Sequence, residues 1–257
     1  MKEKKYSVLS YNLNNYEIIH PIPKECMNDE IEYVYVTDND SITSDTWNVV
    51  YENSLTGSVF DRAYQIRFNP FKYVHTDVVM RIDGSMAINK DVMPLFKAFE
   101  ASGADCSMMP HPTRMTMYEE YVAWVSQRGY PKEQAEKCLN FMKSNGYDVF
   151  NYRGLFQYNF CIQRNNEINN RLNTETYDVL KMLATEPDTA ERLDQTIGSF
   201  VINTHYPTLK ILPVGQYICF GHYFNWCVHN TDTVMTYNSA YDCEPFIGNR
   251  SVTIQYI

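Results

Sequence analysis

Thr76-Asp77-Val78-Val79-Met80-Arg81-Ile82-Asp83-Gly84-Ser85-Met86-Ala87-Ile88-Asn89 decides how the rest of this chain is read. Val78 to Ile82 is apolar except for Arg81, the pattern of a mostly buried strand. The strand ends on Asp83-Gly84-Ser85, and a second short apolar stretch, Met86 to Ile88, follows. In an open α/β sheet the ligand crevice lies beyond the carboxyl ends of the strands. A carboxylate delivered there can hold a divalent cation and, through it, a diphosphate. The same Asp-Gly pair also makes an ordinary turn between strands, and the segment alone leaves both readings open.

Upstream, Tyr6 to Ser10, Ile31 to Asp38 and Trp47 to Tyr51 read as strands, the second ending on an acid. Phe60 to Phe68 has helical spacing at Phe60, Ala63, Tyr64 and Arg67 and stops at Pro70. This order predicts a parallel-rich sheet with covering helices. Downstream, Cys106 to Met109 reads as a strand end. Thr116-Met117-Tyr118-Glu119 has capping-box spacing, opening a helix with Tyr121, Val122 and Val125 on its apolar face beside Tyr118. Pro131 starts a second helix in which Ala135, Cys138, Leu139 and Met142 recur, with Gly146 as its stop. Further helices are expected over about Thr174 to Thr185 and from about Thr189, the latter carrying Leu193, Ile197, Phe200 and Val201. Asp194 then points towards the core side, where an acid needs a partner or a ligand. Ile211 to Ile257 reads as short strands and loops.

Composition narrows the function. The 257 residues, 44% hydrophobic, suffice for a sizeable core, and one domain is the simpler organisation. No run approaches the roughly 18 apolar residues of a membrane-spanning helix, and no apolar h-region follows the charged N-terminus. The seven cysteines are scattered without a C-x-x-C pair, which argues against a zinc knuckle or disulfide framework and fits a reduced, cytoplasmic setting. A formal charge of −9 argues against nucleic acid as the partner. The 21 tyrosines offer flat faces for sugar rings, although ordinary half-buried packing is the plainer use of any one of them. There is no G-x-x-x-x-G-K-[ST], G-x-G-x-x-G or G-x-S-x-G. The loop Tyr11 to Glu17 lacks glycine, which counts against a phosphate cradle and a nucleotidyltransferase.

Four acids stand out: Asp38 and Asp83 at strand ends, Asp91 shortly after, and Asp194 on a helix. Arg62 and Arg67, on the helix feeding the Asp83 strand, have the planar fork that suits phosphate oxygens, or else form a solvated helix face. His222 and His229 sit in an aromatic segment, as metal ligands or hydrogen-bonded structural imidazoles. His111-Pro112 lines a cleft or makes a turn.

Five stretches, in order over roughly residues 6 to 230, resemble a glycosyltransferase-like family long catalogued as a domain of unknown function. It has plant members linked to mucilage polysaccharide and many bacterial ones. Tyr33 to Asn39 is similar to its Tyr-x-x-Phe-Thr-Asp-Asn strand end, and Arg62 to Lys72 to its Arg-x-x-Lys-x-x-Pro-His-Lys stretch. Val79 to Ile88 resembles its Trp-Ile-Asp-Gly-(Ser/Asn)-x-x-Ile. His111 to Glu120 looks like its His-Pro-x-Arg-x-x-x-Tyr-Glu-Glu, and Arg192 to Phe200 like its Arg-Asp-Gln-x-Ser-Phe.

The resemblance implies a single GT-A-type α/β domain with a mixed, mostly parallel sheet flanked by helices. Its nucleotide-binding part would span about 1–110 and its acceptor-side part about 111–257. The implied partners are a nucleotide-diphosphate sugar donor and a glycan or glycoconjugate acceptor in bacterial surface-polysaccharide assembly, in the cytoplasm or peripheral to the membrane. Asp83, Gly84 and Ser85 would occupy the place of the Asp-x-Asp metal motif, with Ser85 where a second carboxylate is usual. A Mn²⁺ or Mg²⁺ ion on Asp83 and Ser85 would be completed by His222 or His229. Asp38 would lie near the nucleoside and Arg62 and Arg67 near the diphosphate. Asp194 would be the catalytic residue beside the transferred sugar, with His111 and Gln195 on the sugar or acceptor side. The alternative is a non-catalytic carbohydrate- or nucleotide-binding protein that keeps the cleft.

Overall fold

The computed structural model describes residues 4–127, 131–151, 154–183, 193–215, 222–227 and 229. Four strands rich in β-branched and aromatic residues open the chain: β1 (Tyr6–Asn12), β2 (Ile31–Thr37), β3 (Asn48–Tyr51) and β4 (Val78–Ile82). The helix α1 (Val59–Arg67) lies between β3 and β4; the Ser58 side chain caps it by accepting the Asp61 N–H at 3.2 Å. After β5 (Met86–Ile88) comes α2 (Met93–Ser102), which ends on Gly103 in the left-handed region at φ 61°. β6 (Cys106–Pro110), α3 (Met117–Gln127), α4 (Lys132–Ser144), β7 (Phe156–Arg164), α5 (Glu167–Leu183), α6 (Asp194–His205), β8 (Ile211–Pro213) and β9 (Phe224–Trp226) follow.

Seven strands form one sheet in the order β3-β2-β1-β4-β7-β6-β8. The pairs β1–β2, β2–β3, β1–β4 and β6–β8 are parallel, and only those with β7 are antiparallel. The expected mixed, mostly parallel sheet flanked by helices is therefore present. From β1 the chain moves outward to β2 and β3, then returns to place β4 on the other side of β1. That reversal opens a crevice at the carboxyl ends of β1 and β4, where Asp83 begins.

Alternation along β4 builds both layers. Val78, Met80 and Ile82 face a cluster that includes Leu95, Phe96 and Phe99 of α2. Val79 faces the opposite cluster with Ile66 of α1. Farther along the sheet, Cys106, Met108 and Cys161 pack against apolar side chains of α4, α5 and α6. The capping box also forms: the Glu119 N–H donates to Thr116 Oγ1 at 3.1 Å and the Thr116 N–H to Glu119 Oε2 at 3.0 Å. Among the described residues no helix is long and apolar enough to cross a membrane.

Some elements differ from expectation. α5 starts at Glu167 rather than near Thr174; the asparagines in its first turns have weak intrinsic helix preference, so the sequence pattern does not show this start. Buried Asn169 instead uses its amide to tie the helix to the sheet, donating to Asp105 O at 2.8 Å and Arg164 O at 3.1 Å. β7 and α2 carry no expectation from the sequence; β7 is recognisable through its neighbours β4 and β6. The expected helix start near Thr189, like Arg192, lies outside the described residues.

Gly198 sets the approach of α6 to the sheet: a Cβ there would lie 2.0 Å from Tyr158 Oη and 2.2 Å from its Cζ. Gly198→Ala is expected to destabilise the fold by about 1–3 kcal/mol through overpacking. In urea denaturation, adding Tyr158→Ala should make the pair strongly non-additive; simple additivity would disprove the contact.

Candidate functional site

β4 ends in a tight turn in which the Met86 N–H donates to Asp83 O at 3.0 Å, so the Asp-Gly pair is both turn and crevice edge. The main sheet is left behind there, and β5 pairs instead with β9, bringing Trp226 to the crevice. The loop after β1 closes over the same place. Asn14 and Asn15 take left-handed φ values of 57° and 53°, so the loop bends without a glycine. Asn12 brackets the loop, accepting the Glu17 N–H at 2.9 Å and donating back to Glu17 O. Gly84 is required by proximity: a Cβ would sit 2.8 Å from Tyr11 O and 3.1 Å from Glu17 Cγ.

The resulting cleft has a volume of about 600 Å³. Arg67, the last residue of α1, joins its walls. Its Nη2 donates to Asp83 Oδ1 at 2.7 Å, Nη1 to Asp194 Oδ2, and Nε to Tyr11 Oη at 2.9 Å. The side chains of Arg67 and Asp194 are 11% and 8% exposed, while Asp83 is 34% exposed and faces the cleft. Burial pushes the Asp83 carboxyl above the usual carboxylate range; Arg67 pulls it down and the charge of Asp194 pushes it up. Burial also pushes the Tyr11 phenol up to about 12, so it remains neutral. Burial works against the Arg67 charge, but Tyr11, Asp83 and Asp194 more than offset it and hold the guanidinium protonated.

Other sequence candidates fall differently. Asp38 and Arg62 pair at 2.7 Å, and Asp38 Oδ1 accepts the Asn14 N–H at 2.8 Å, so this pair braces the loop and does not line the cleft. Asp91 serves α2, accepting the Met93 N–H at 2.8 Å. His111, Gln195, Gly84 and Ser85 do line the cleft. His229 lines it too, with Nδ1 paired to the buried Glu17 carboxylate. His222 lies outside it, exposed and 3.3 Å from Lys90 Nζ.

As a shell for one divalent ion these residues do not fit. Asp83 is engaged by a guanidinium, His229 by Glu17 and His222 by contacts elsewhere. Among the described residues no group of three His, Cys, Asp or Glu side chains is gathered closely enough to hold a metal.

Sequence reading missed several lining groups: Tyr11, Glu17, Arg114, Gln157, Asn159 and Trp226. Arg114 falls in the His111 to Glu120 stretch, whose spacing assigns it no role, and Glu17 in the glycine-free loop after β1. The amide oxygens of Gln157, Asn159 and Gln195 are buried at the cleft wall without a hydrogen-bond partner among the described residues. An unmet buried acceptor costs about 1–3 kcal/mol, which a hydroxylated ligand can relieve.

No protein-family model matches the sequence, and no curated protein does. Among solved structures, it is similar to the apo form of mouse xyloside xylosyltransferase 1, with a TM-score of 0.44 and 9% identity over 82% of this chain and 85% of that one.

Arg67→Met leaves two carboxylates without their shared cation and is expected to cost about 3–5 kcal/mol at neutral pH. Because the folded Asp83 is already harder to ionise than an ordinary aspartate, its stabilising effect is present at low pH and is lost as pH rises through its folded pKa. The Arg67→Met deficit in urea denaturation should therefore shrink between pH 7 and pH 5. An equal deficit at both would contradict the shared-cation arrangement.

Proposed function

We propose that this protein transfers a sugar from a nucleotide-diphosphate donor to a glycan or glycoconjugate acceptor, in the setting of surface-polysaccharide assembly. One observation carries the reading. At the switch-point crevice, Asp83 from β4 and Asp194 from α6 converge on one guanidinium beside three amide side chains with unmet oxygens. Sugar hydroxyls both donate and accept hydrogen bonds, so they suit a wall of carboxylates and amides. Two carboxylates sharing one guanidinium also leave excess negative charge. That excess favours the positive charge that develops on the sugar ring as a leaving group departs.

In this reading, residues of about 1–110 form the donor side and those of about 111–257 the acceptor side. Asp83, with Gly84 and Ser85, holds the donor sugar, and Arg67 fixes both carboxylates rather than meeting the diphosphate directly. Asp194 is assigned to the reacting end, with His111 and Gln195 towards the acceptor. Asp38 and Arg62 support the donor side by bracing the loop after β1. No step is routed through a metal, because Asp83 is paired with Arg67 and His229 with Glu17, and His222 lies outside the cleft.

A second reading, sugar binding without transfer, is favoured by Arg67 having each of its three nitrogens already engaged. Thermal-shift measurements with UDP-, GDP-, CMP- and dTDP-sugars, each with Mn²⁺ and after EDTA, separate the two. Transfer predicts a selective shift that survives EDTA, since a ligand bound only to the folded state stabilises it. Asp194→Asn should then lower turnover by about 10²–10³ while donor affinity changes far less. Shifts with free glycans and none with any nucleotide sugar would replace transfer by binding alone.

A further inference from the structure

We propose that Arg114 is the anion-binding side chain of the cleft, aimed by the buried Glu120 at a phosphate or carboxylate group of the ligand. Two arginines line the cleft among the described residues, Arg67 and Arg114. Arg67 has each nitrogen committed: Nε to Tyr11, Nη1 to Asp194 and Nη2 to Asp83. Arg114 is held from behind. Its Nε donates to Glu120, whose side chain is 0% exposed, and its two Nη groups have no hydrogen-bond partner among the described residues. Glu120 is itself fixed by Trp124, whose Nε1 donates to its Oε1 at 3.0 Å.

The backbone carrying Arg114 is equally constrained. His111 Nδ1 accepts the N–H of Arg114 at 3.0 Å and of Thr113 at 3.3 Å, and the His111 N–H donates to Leu155 O at 2.7 Å. The Thr116–Glu119 capping box anchors the chain immediately after it. An arginine with its Nε engaged still presents a planar pair of donors, which matches two oxygens of one phosphate or carboxylate. A fork positioned before the ligand arrives has no rearrangement left to make. The cleft thus has a carboxylate-rich end at Asp83 and Asp194 and a cationic end at Arg114. The anion is either the diphosphate of the donor, which rests on the transferase reading, or an acidic group of the acceptor, which does not require it.

Isothermal titration with inorganic pyrophosphate and with D-glucuronate, using D-glucose as the uncharged control, tests this. The double variant Arg114→Met/Glu120→Gln removes both charges together, so no buried ion is left unpaired. Wild type is expected to bind at least one of the anions, and the double variant to bind it at least tenfold more weakly with its thermal midpoint retained. Arg114→Lys, which keeps the charge but not the fork, should also lose affinity and serves if the double variant does not fold. A loss confined to pyrophosphate assigns the site to the donor diphosphate; a loss confined to glucuronate assigns it to an acidic acceptor. Unchanged affinity in these variants, or no binding of either anion by wild type, overturns the proposal. Anion binding lost with Arg114, alongside no response to any nucleotide sugar, would overturn the transferase reading and leave this site standing.

Discussion

One guanidinium holds the cleft together. Arg67 ties the end of α1 to β1 through Tyr11, to the end of β4 through Asp83, and to the start of α6 through Asp194. A buried charge is costly unless it is paired and hydrogen-bonded, so three unrelated elements are pinned to one point. Rings of Tyr11 and Tyr64 lie 5.8 and 6.0 Å from the guanidinium carbon, adding attraction from their faces. Any rearrangement that separated β4 from α6 would take at least one of these carboxylates away from its cation.

The backbone around this point leaves little room. Gly84 lets the loop after β1 pass within a distance that no side chain tolerates, and Gly198 lets α6 press against Tyr158. Asn12, by bonding both sides of Glu17, holds the loop closed, and Glu17 in turn reaches His229 from the far end of the described chain. The cleft is therefore a preformed cavity whose walls come from both halves of the sequence, as small-molecule sites usually are.

The distribution of charge within it has chemical meaning. Carboxylates and amides dominate where β4 and α6 meet, an environment for hydroxyl groups and for developing positive charge. Arg114, whose Nη groups have no hydrogen-bond partner among the described residues, stands on the loop before α3, backed by a carboxylate that water does not reach. A ligand with a polyhydroxylated part and an anionic part would match both regions at once. That division follows from which nitrogens are already occupied, a distinction that counting arginines does not make.

Local patterns in the chain determined the strand of Val78 to Ile82, its acid at the carboxyl end, the parallel-rich order of the first half and the Thr116–Glu119 cap. These are short-range properties: alternation, β-branched content and a four-residue capping spacing. The core-side placement of Asp194 was legible for the same reason, since helical periodicity assigns it a face. Its partner was not, because Arg67 lies 127 residues away and no local rule selects between a phosphate and a carboxylate for a guanidinium. The pairing of His229 with Glu17 across 212 residues and the departure of β5 to meet β9 were equally invisible. The sequence alone determined which chemistry reaches the strand ends; only the tertiary structure decided which charges neutralise one another there, because that depends on proximity between elements remote along the chain.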